Sequence, residues 1–201
     1  MPWKEDQGQQ EQIPLPTDVT SQFIINFQSH QYTLMREPGH DVARTGIGVF
    51  IQLNGHHTVK LYISAVSPPV ESALQAEAYG LLLAVKIAAK LHVQDPYFFM
   101  DSSVLASAAV EPDVTKAGPW AIRPILAAIQ AIPSFQPCRI IKVHRSLNFK
   151  ADHQARLAVK VQDKPFSSTC LHTNQGQCPT CNVLSAMSVE PLNVLSIKSF
   201  C

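Results

Sequence analysis

Charge is scarce in this chain: Asp, Glu, Lys and Arg together make up 15% of its 201 residues. With 46% hydrophobic residues beside it, that scarcity excludes a disordered, charge-swollen chain and implies a globular one. Long apolar runs are missing as well. The richest, Ala76 to Val85, contains Glu77 and is followed by Lys86 and Lys90, well short of the roughly 18 uncharged apolar residues of a membrane span. The first 21 residues lack the basic start and apolar stretch of a secretory signal, so the expectation is an intracellular protein, nuclear or cytoplasmic, with no membrane partner. Cysteines number five, four of them within the last 32 residues, which excludes a disulfide framework spanning the chain.

What is present divides into three parts. Residues 1–21 are polar and Gln-rich with Pro14 and Pro16, which predicts a flexible N-terminal tail. Residues 22–164 carry the periodic segments of one domain, and residues 165–201 read as a Cys/Ser-rich C-terminal tail with one late strand-like piece, LNVLSIKSF. In the domain, QFIINF, QYTLM, TGIGVFIQL and HHTVKLYIS are strand candidates, the last two joined across the turn-forming Asn54-Gly55. ESALQAEAYGLLLAVKIAAKLHV is rich in helix formers and too long for a strand. PYFFM reads as a buried strand, and a helical pattern broken between Pro112 and Pro119 follows it. CRIIKVHR alternates as a strand, and SLNFKADHQARLAVKVQ is a final helix with Asn148 as its cap. The result is an α/β chain with element order β-β-β-α-β-α-β-α.

Three acids stand out by position. Polar residues Glu71, Gln75, Tyr79, Lys86 and Lys90 mark the solvent stripe of the first helix, and Glu77 falls off it, among apolar neighbours. A carboxylate so placed has to be paired with a cation, protonated or bound to metal. Asp101 directly follows PYFFM and serves equally as a helix cap. Asp152 opens the last helix, where the helix dipole alone favours an acid. Together they can converge on one end of a sheet, where hard oxygen ligands suit Mg²⁺ and a pair of such ions can clamp a phosphodiester.

Basic charge is concentrated nearby. From Arg139 to Lys160 there are six Lys or Arg against the single Asp152, a distribution suited to phosphate contact or to a solvated helix face. In the tail, Cys170-x-His172 and Cys178-x-x-Cys181 supply four zinc-type ligands; the second pair has usual spacing and the first is tight for one ion. Reduced cysteines in a tail are the alternative. Trp120 is expected in the core, and His144 in a solvated loop.

From about Gln31 to Val161 the chain resembles the ribonuclease H fold, specifically the plant reverse-transcriptase-like (ribonuclease H type 1) domains related to those of non-LTR retrotransposons. The likeness is carried by TGIGVFI, AEAYGLLLAV, FFMDSSVL and, most specifically, IIKVHRSLNFKADHQARLA with its Arg145-x-x-Asn148-x-x-Ala151-Asp152. It implies a mixed five-stranded sheet flanked by helices, with RNA/DNA hybrid or RNA as partner. In active members it implies cleavage of the RNA strand with two Mg²⁺ ions, for which Mn²⁺ can substitute. Glu77, Asp101 and Asp152 match three of four metal-binding acids, and Arg145, Asn148 and Lys150 are the implied nucleic-acid contacts. The fourth acid belongs on strand one, where Tyr32 and Thr33 are followed by Leu34. Leucine cannot ligate Mg²⁺, and Glu37, three residues on, lies roughly 10 Å along an extended strand and on its opposite face. Asp41 stands beyond Pro38-Gly39 in a loop. The expectations are therefore a ribonuclease with one acid missing or, alternatively, a catalytically inactive nucleic-acid or protein interaction module.

Overall fold

The alternation in RTGIGVFIQL puts Gly46, Gly48 and Phe50 on one face of a strand and Ile47, Val49 and Ile51 on the other, and the fold is organised about that division. The computed structural model describes residues 23–32, 44–54, 58–161, 165–171 and 189–200. Strand β1 (Phe23–Tyr32) pairs antiparallel with β2 (Arg44–Leu53), from Phe23 opposite Leu53 to Tyr32 opposite Arg44. β3 (Val59–Val66) pairs antiparallel with β2. Helix α1 (Ala73–Lys90) follows, capped by Ser72, whose hydroxyl accepts from the Gln75 N–H at 3.2 Å. The remaining elements are β4 (Tyr97–Met100), α2 (Ser103–Val110), α3 (Arg123–Gln130), β5 (Ile140–Lys142), α4 (Phe149–Val161), β6 (Ser167–Cys170) and β7 (Asn193–Phe200).

All seven strands form one mixed sheet in the order β5-β4-β1-β2-β3-β7-β6, with β1/β4, β4/β5 and β6/β7 parallel. Two expectations change. QFIINF and QYTLM are not two strands: β1 runs unbroken from Phe23 to Tyr32, and Thr33 onward lies outside the described residues. The sheet has seven strands rather than five, because the segment expected as a C-terminal tail supplies β6 and β7. β7 pairs with β3 and buries Leu195 and Ile197, covering backbone groups that an open edge would leave unpaired.

One face of the sheet carries Ile25, Ile47, Val49, Ile51, Leu61 and Ile63 against α1, whose Leu81, Leu83 and Ile87 are fully buried with them. Helix α4 crosses the other face, seated on β2 with β1 and β3 to its sides. It comes extremely close. A Cβ on Gly48 would lie 2.0 Å from the Ala151 carbonyl oxygen, and one on Gly46 would lie 2.2 Å from that of Ala155. The glycines, with fully buried Ala151, Ala155 and Ala158, allow backbone to pack on backbone. Trp120 does not enter the core: it is 72% exposed at the start of a 3-10 turn whose inward position is filled by buried Ile122. No helix among the described residues is long and apolar enough to cross a membrane.

Candidate carboxylate site and nucleic-acid interface

β4 ends at Met100 and delivers Asp101 to the margin of the sheet. The cap of α2 is the next residue, Ser102, whose hydroxyl accepts from the Leu105 N–H at 3.3 Å, so the capping role open to Asp101 is filled by its neighbour. The Ser102 hydroxyl also hydrogen-bonds the carboxylate of half-buried Glu77, on the second turn of α1. Burial pushes the Glu77 carboxyl above its ordinary range. The Ser102 hydrogen bond opposes that rise, the nearby Asp101 charge adds to it, and the Arg145 guanidinium opposes it.

Arg145 reaches the third acid too. It opens a 3-10 turn, Arg145–Asn148, capped by His144, whose Nδ1 accepts from the Ser146 N–H at 3.3 Å; the histidine ring itself is exposed. The Arg145 guanidinium lies 3.8 Å from the Asp152 carboxylate, and Arg156, one turn further along α4, pairs with the same carboxylate at 2.9 Å. Glu77 and Asp101 are therefore direct electrostatic neighbours. Asp152 joins them through a shared arginine. Among the described residues, no group of three or more His, Cys, Asp or Glu is arranged to hold a metal ion.

The strand between β2 and β4 supplies no acid. Ile24 lies beside Tyr97 and Asn26 beside Phe99 in the parallel β1/β4 ladder, which ends there; continued by two residues, its register would set Gln28 level with Asp101. Gln28 pairs with Gly48, directly under α4. The ten residues of β1, FIINFQSHQY, contain neither Asp nor Glu. Leu34, Glu37 and Asp41 lie outside the described residues. This donor set fits a single Mg²⁺ held by Glu77 and Asp101 with water, because such an ion is commonly bound through one or two carboxylates. Among the described residues β1 supplies no carboxylate that could bridge a second ion.

The three residues expected to touch nucleic acid differ in availability. Arg145 is largely exposed, although engaged with Asp152. Asn148 stands immediately before α4 at the cap position and is fully buried, out of reach of a surface ligand. Lys150 lies over the Phe50 ring, with its Nζ 4.3 Å from the centroid, and 5.8 Å from that of Phe149. Of the four zinc-type ligands, Cys170 ends β6 and is exposed, while His172, Cys178 and Cys181 lie outside the described residues. Sequence reasoning missed Ser102 and Arg156. The i, i+4 spacing of Asp152 and Arg156 is a legible ion-pair signal; nothing in the sequence marks Ser102 as a partner of Glu77.

A mixed sheet with helices on both faces, three consecutive antiparallel strands and an acid at the end of the parallel neighbour of the first defines a class of α/β domains. The chain has the ribonuclease H fold. It is similar to an N-terminal RNase H domain from Mycobacterium tuberculosis, solved as a fusion with maltose-binding protein, at 21% identity and TM-score 0.52, over 70% of this chain and 96% of that one. It is similar to the RNase H domain of prototype foamy virus at 17% identity and TM-score 0.51, over 71% and 96%. The protease-reverse transcriptase of the same virus matches at 16% and 0.55, over 74% of this chain and 22% of that one. At these identities the likeness is one of fold. No family model and no curated protein sequence matches the chain.

Proposed function

We propose that this chain is a ribonuclease H-like module that binds nucleic acid, an RNA/DNA hybrid first of all, and does not cut it by two-metal hydrolysis. One observation carries the reading: β1, the parallel neighbour of the strand that ends just before Asp101, has no acid in its ten residues. The bridging position is then Gln28 by register, or Leu34 by the motif, and neither side chain is an anionic ligand. The pairing of Asp152 with Arg145 and Arg156 fits the same reading, since it supplies from the chain the charge a metal would supply. Binding is supported by the basic stretch from Arg139 to Lys160, by the motif resemblance to plant, retrotransposon-related domains, and by the fold shared with domains named as RNase H.

The Glu77–Asp101 pair favours a second reading, a Mg²⁺- or Mn²⁺-dependent ribonuclease working with an incomplete acid set. A labelled RNA/DNA hybrid incubated with the full chain separates the two. The binding module gives salt-sensitive anisotropy and intact RNA at millimolar Mg²⁺ or Mn²⁺. Cleavage that Asp101→Asn abolishes would establish the nuclease, and absence of binding at low salt would remove the binding reading.

A further inference from the structure

Helix α4 covers part of β3 and reaches β7, where Ala158 packs with Val66 and Leu195; toward Lys60 and Phe200 no other helix among the described residues packs on this face of β3 and β7. Its composition is unusual for an open face. Phe50, Tyr62 and Phe200 form an aromatic row, with ring centroids 5.0 Å apart for Phe50 and Tyr62 and 5.4 Å for Tyr62 and Phe200. Phe50 is buried at the root of the row, whereas Phe200 is 43% exposed and Phe149, facing the row from the first turn of α4, is 60% exposed. Cations accompany the rings. Lys198 lies directly across the β3/β7 ladder from Tyr62, Lys60 lies across it from Phe200, and Lys150 stands over Phe50. Between sheet and helix is an open groove of about 590 Å³, walled by Tyr62, Phe149, Lys150, His153 and Arg156. Its single acid, Asp152, is already paired with Arg156.

We propose that this groove binds a short stretch of single-stranded nucleic acid, with bases stacked on Tyr62, Phe149 and Phe200 and phosphates drawn to Lys60, Lys150 and Lys198. Aromatic rings flanked by cations on an open sheet face are what unpaired bases require: every base has a π-face, and the backbone supplies one negative charge per nucleotide. Duplex is a poor occupant, because its bases are stacked on one another and present no free face to the rings. The groove volume lies within the ~300–1,000 Å³ typical of small-ligand clefts, enough for one or two nucleotides. The site is separate from Glu77 and Asp101 and does not rest on the duplex-binding reading.

The test uses the full chain, fluorescein-labelled decathymidylate and a ten-unit abasic deoxyribose-phosphate oligomer, with anisotropy read at about 50 mM salt. Decathymidylate should bind about five-fold or more tightly than the abasic oligomer, since stacking is the difference between them. Phe149→Ala and Tyr62→Leu should each weaken decathymidylate by about five-fold or more and leave the abasic oligomer unchanged, while Tyr62→Phe keeps the affinity. Circular dichroism and thermal melting confirm that each variant is folded; Phe149, being exposed, is the variant least coupled to folding. Equal affinity for the two oligomers, no binding of decathymidylate by the wild-type chain, or wild-type affinity in the folded Phe149→Ala variant would overturn the proposal. A chain that binds decathymidylate but no hybrid retains this site and loses the duplex reading. The converse result does the reverse.

Discussion

Replacing Gly48 with alanine is the most direct test of how α4 is seated. The added methyl would stand 2.0 Å from the Ala151 carbonyl oxygen, 2.4 Å from the Ala155 nitrogen and 2.9 Å from the Gln154 Cβ. The first two are backbone atoms, so no rotamer change relieves them. Carbon–oxygen contacts close at ~3.3 Å, and α4 must therefore rise by roughly 1.3 Å. Overpacking of this kind typically costs 1–3 kcal/mol. A raised helix also loosens the contacts of buried Ala151, Ala155 and Ala158 and stretches the hydrogen bond that the single proton of the buried Ser64 hydroxyl shares between the carbonyl oxygen and Oε1 of Gln154, each 3.1 Å away. The expected loss is about 3–4 kcal/mol, a large part of the 5–15 kcal/mol that holds a typical domain. With a urea slope of ~2 kcal/mol/M, the unfolding midpoint should fall by about 1.5–2 M. Ser64→Ala, which removes that hydrogen bond without adding volume, should cost only about 1 kcal/mol. A Gly48→Ala midpoint within about 0.3 M of wild type would refute the seating of α4 on β2.

The Glu77 carboxyl is raised from 4.5 chiefly by burial, so the folded state favours its protonated form; that contribution is complete below pH 4.5 and is lost as pH rises through the folded value. Glu77→Gln should accordingly raise the melting temperature at pH 7 and leave it unchanged at pH 4, and equal effects at both pH values would contradict the burial of this group. Ser102→Ala removes the α2 cap and the hydrogen bond to Glu77 together, and should cost about 1 kcal/mol in urea unfolding, with no loss counting against the observed cap. Arg145→Gln removes a cation that neighbours Glu77 and Asp152, so the rise in melting temperature produced by millimolar Mg²⁺ should be larger in the variant than in wild type. An identical Mg²⁺ response in both would show that Arg145 does not compete with a metal.

The central fold was legible wherever a segment carried one clear period. The alternation of TGIGVFIQL and HHTVKLYIS gave an antiparallel pair, whereas Glu77, expected to point inward from α1, is half-buried, as are the stripe residues Gln75, Tyr79 and Lys86. Where period and composition disagreed, composition misled. NVLSIKSF alternates, but it follows a Ser- and Cys-rich stretch that reads as a tail, and only its pairing with β3 makes it part of the sheet. Trp120 was misplaced because a large apolar ring is normally buried, while the local turn gives the inward position to Ile122. The carboxylates were visible as residues, and the spacing of Asp152 and Arg156 was a local signal, but the approach of Arg145 to Glu77 was not legible, since it joins residues far apart in the chain. The extent of β1 was lost for a related reason: register depends on its neighbours, β2 and β4, and not on its own sequence.

Arg145 also bears on how acids can remain grouped at this end of the sheet. Carboxylates brought together at low exposure repel one another and lose hydration, and in a metal-dependent site the ions offset both costs. Here the chain supplies the offset. Burial favours the neutral form of Glu77, Ser102 donates a hydrogen bond to it, and Arg145 and Arg156 neutralise Asp152. Each contribution comes from a residue fixed by an element boundary: the cap of α2, the turn before α4, and the second turn of α4. The arrangement of the acids is thereby held by folding itself. On the reading proposed above, an acid absent from β1 leaves no unbalanced charge behind, because the charges of Glu77 and Asp152 are already balanced by burial, a hydrogen bond and two arginines.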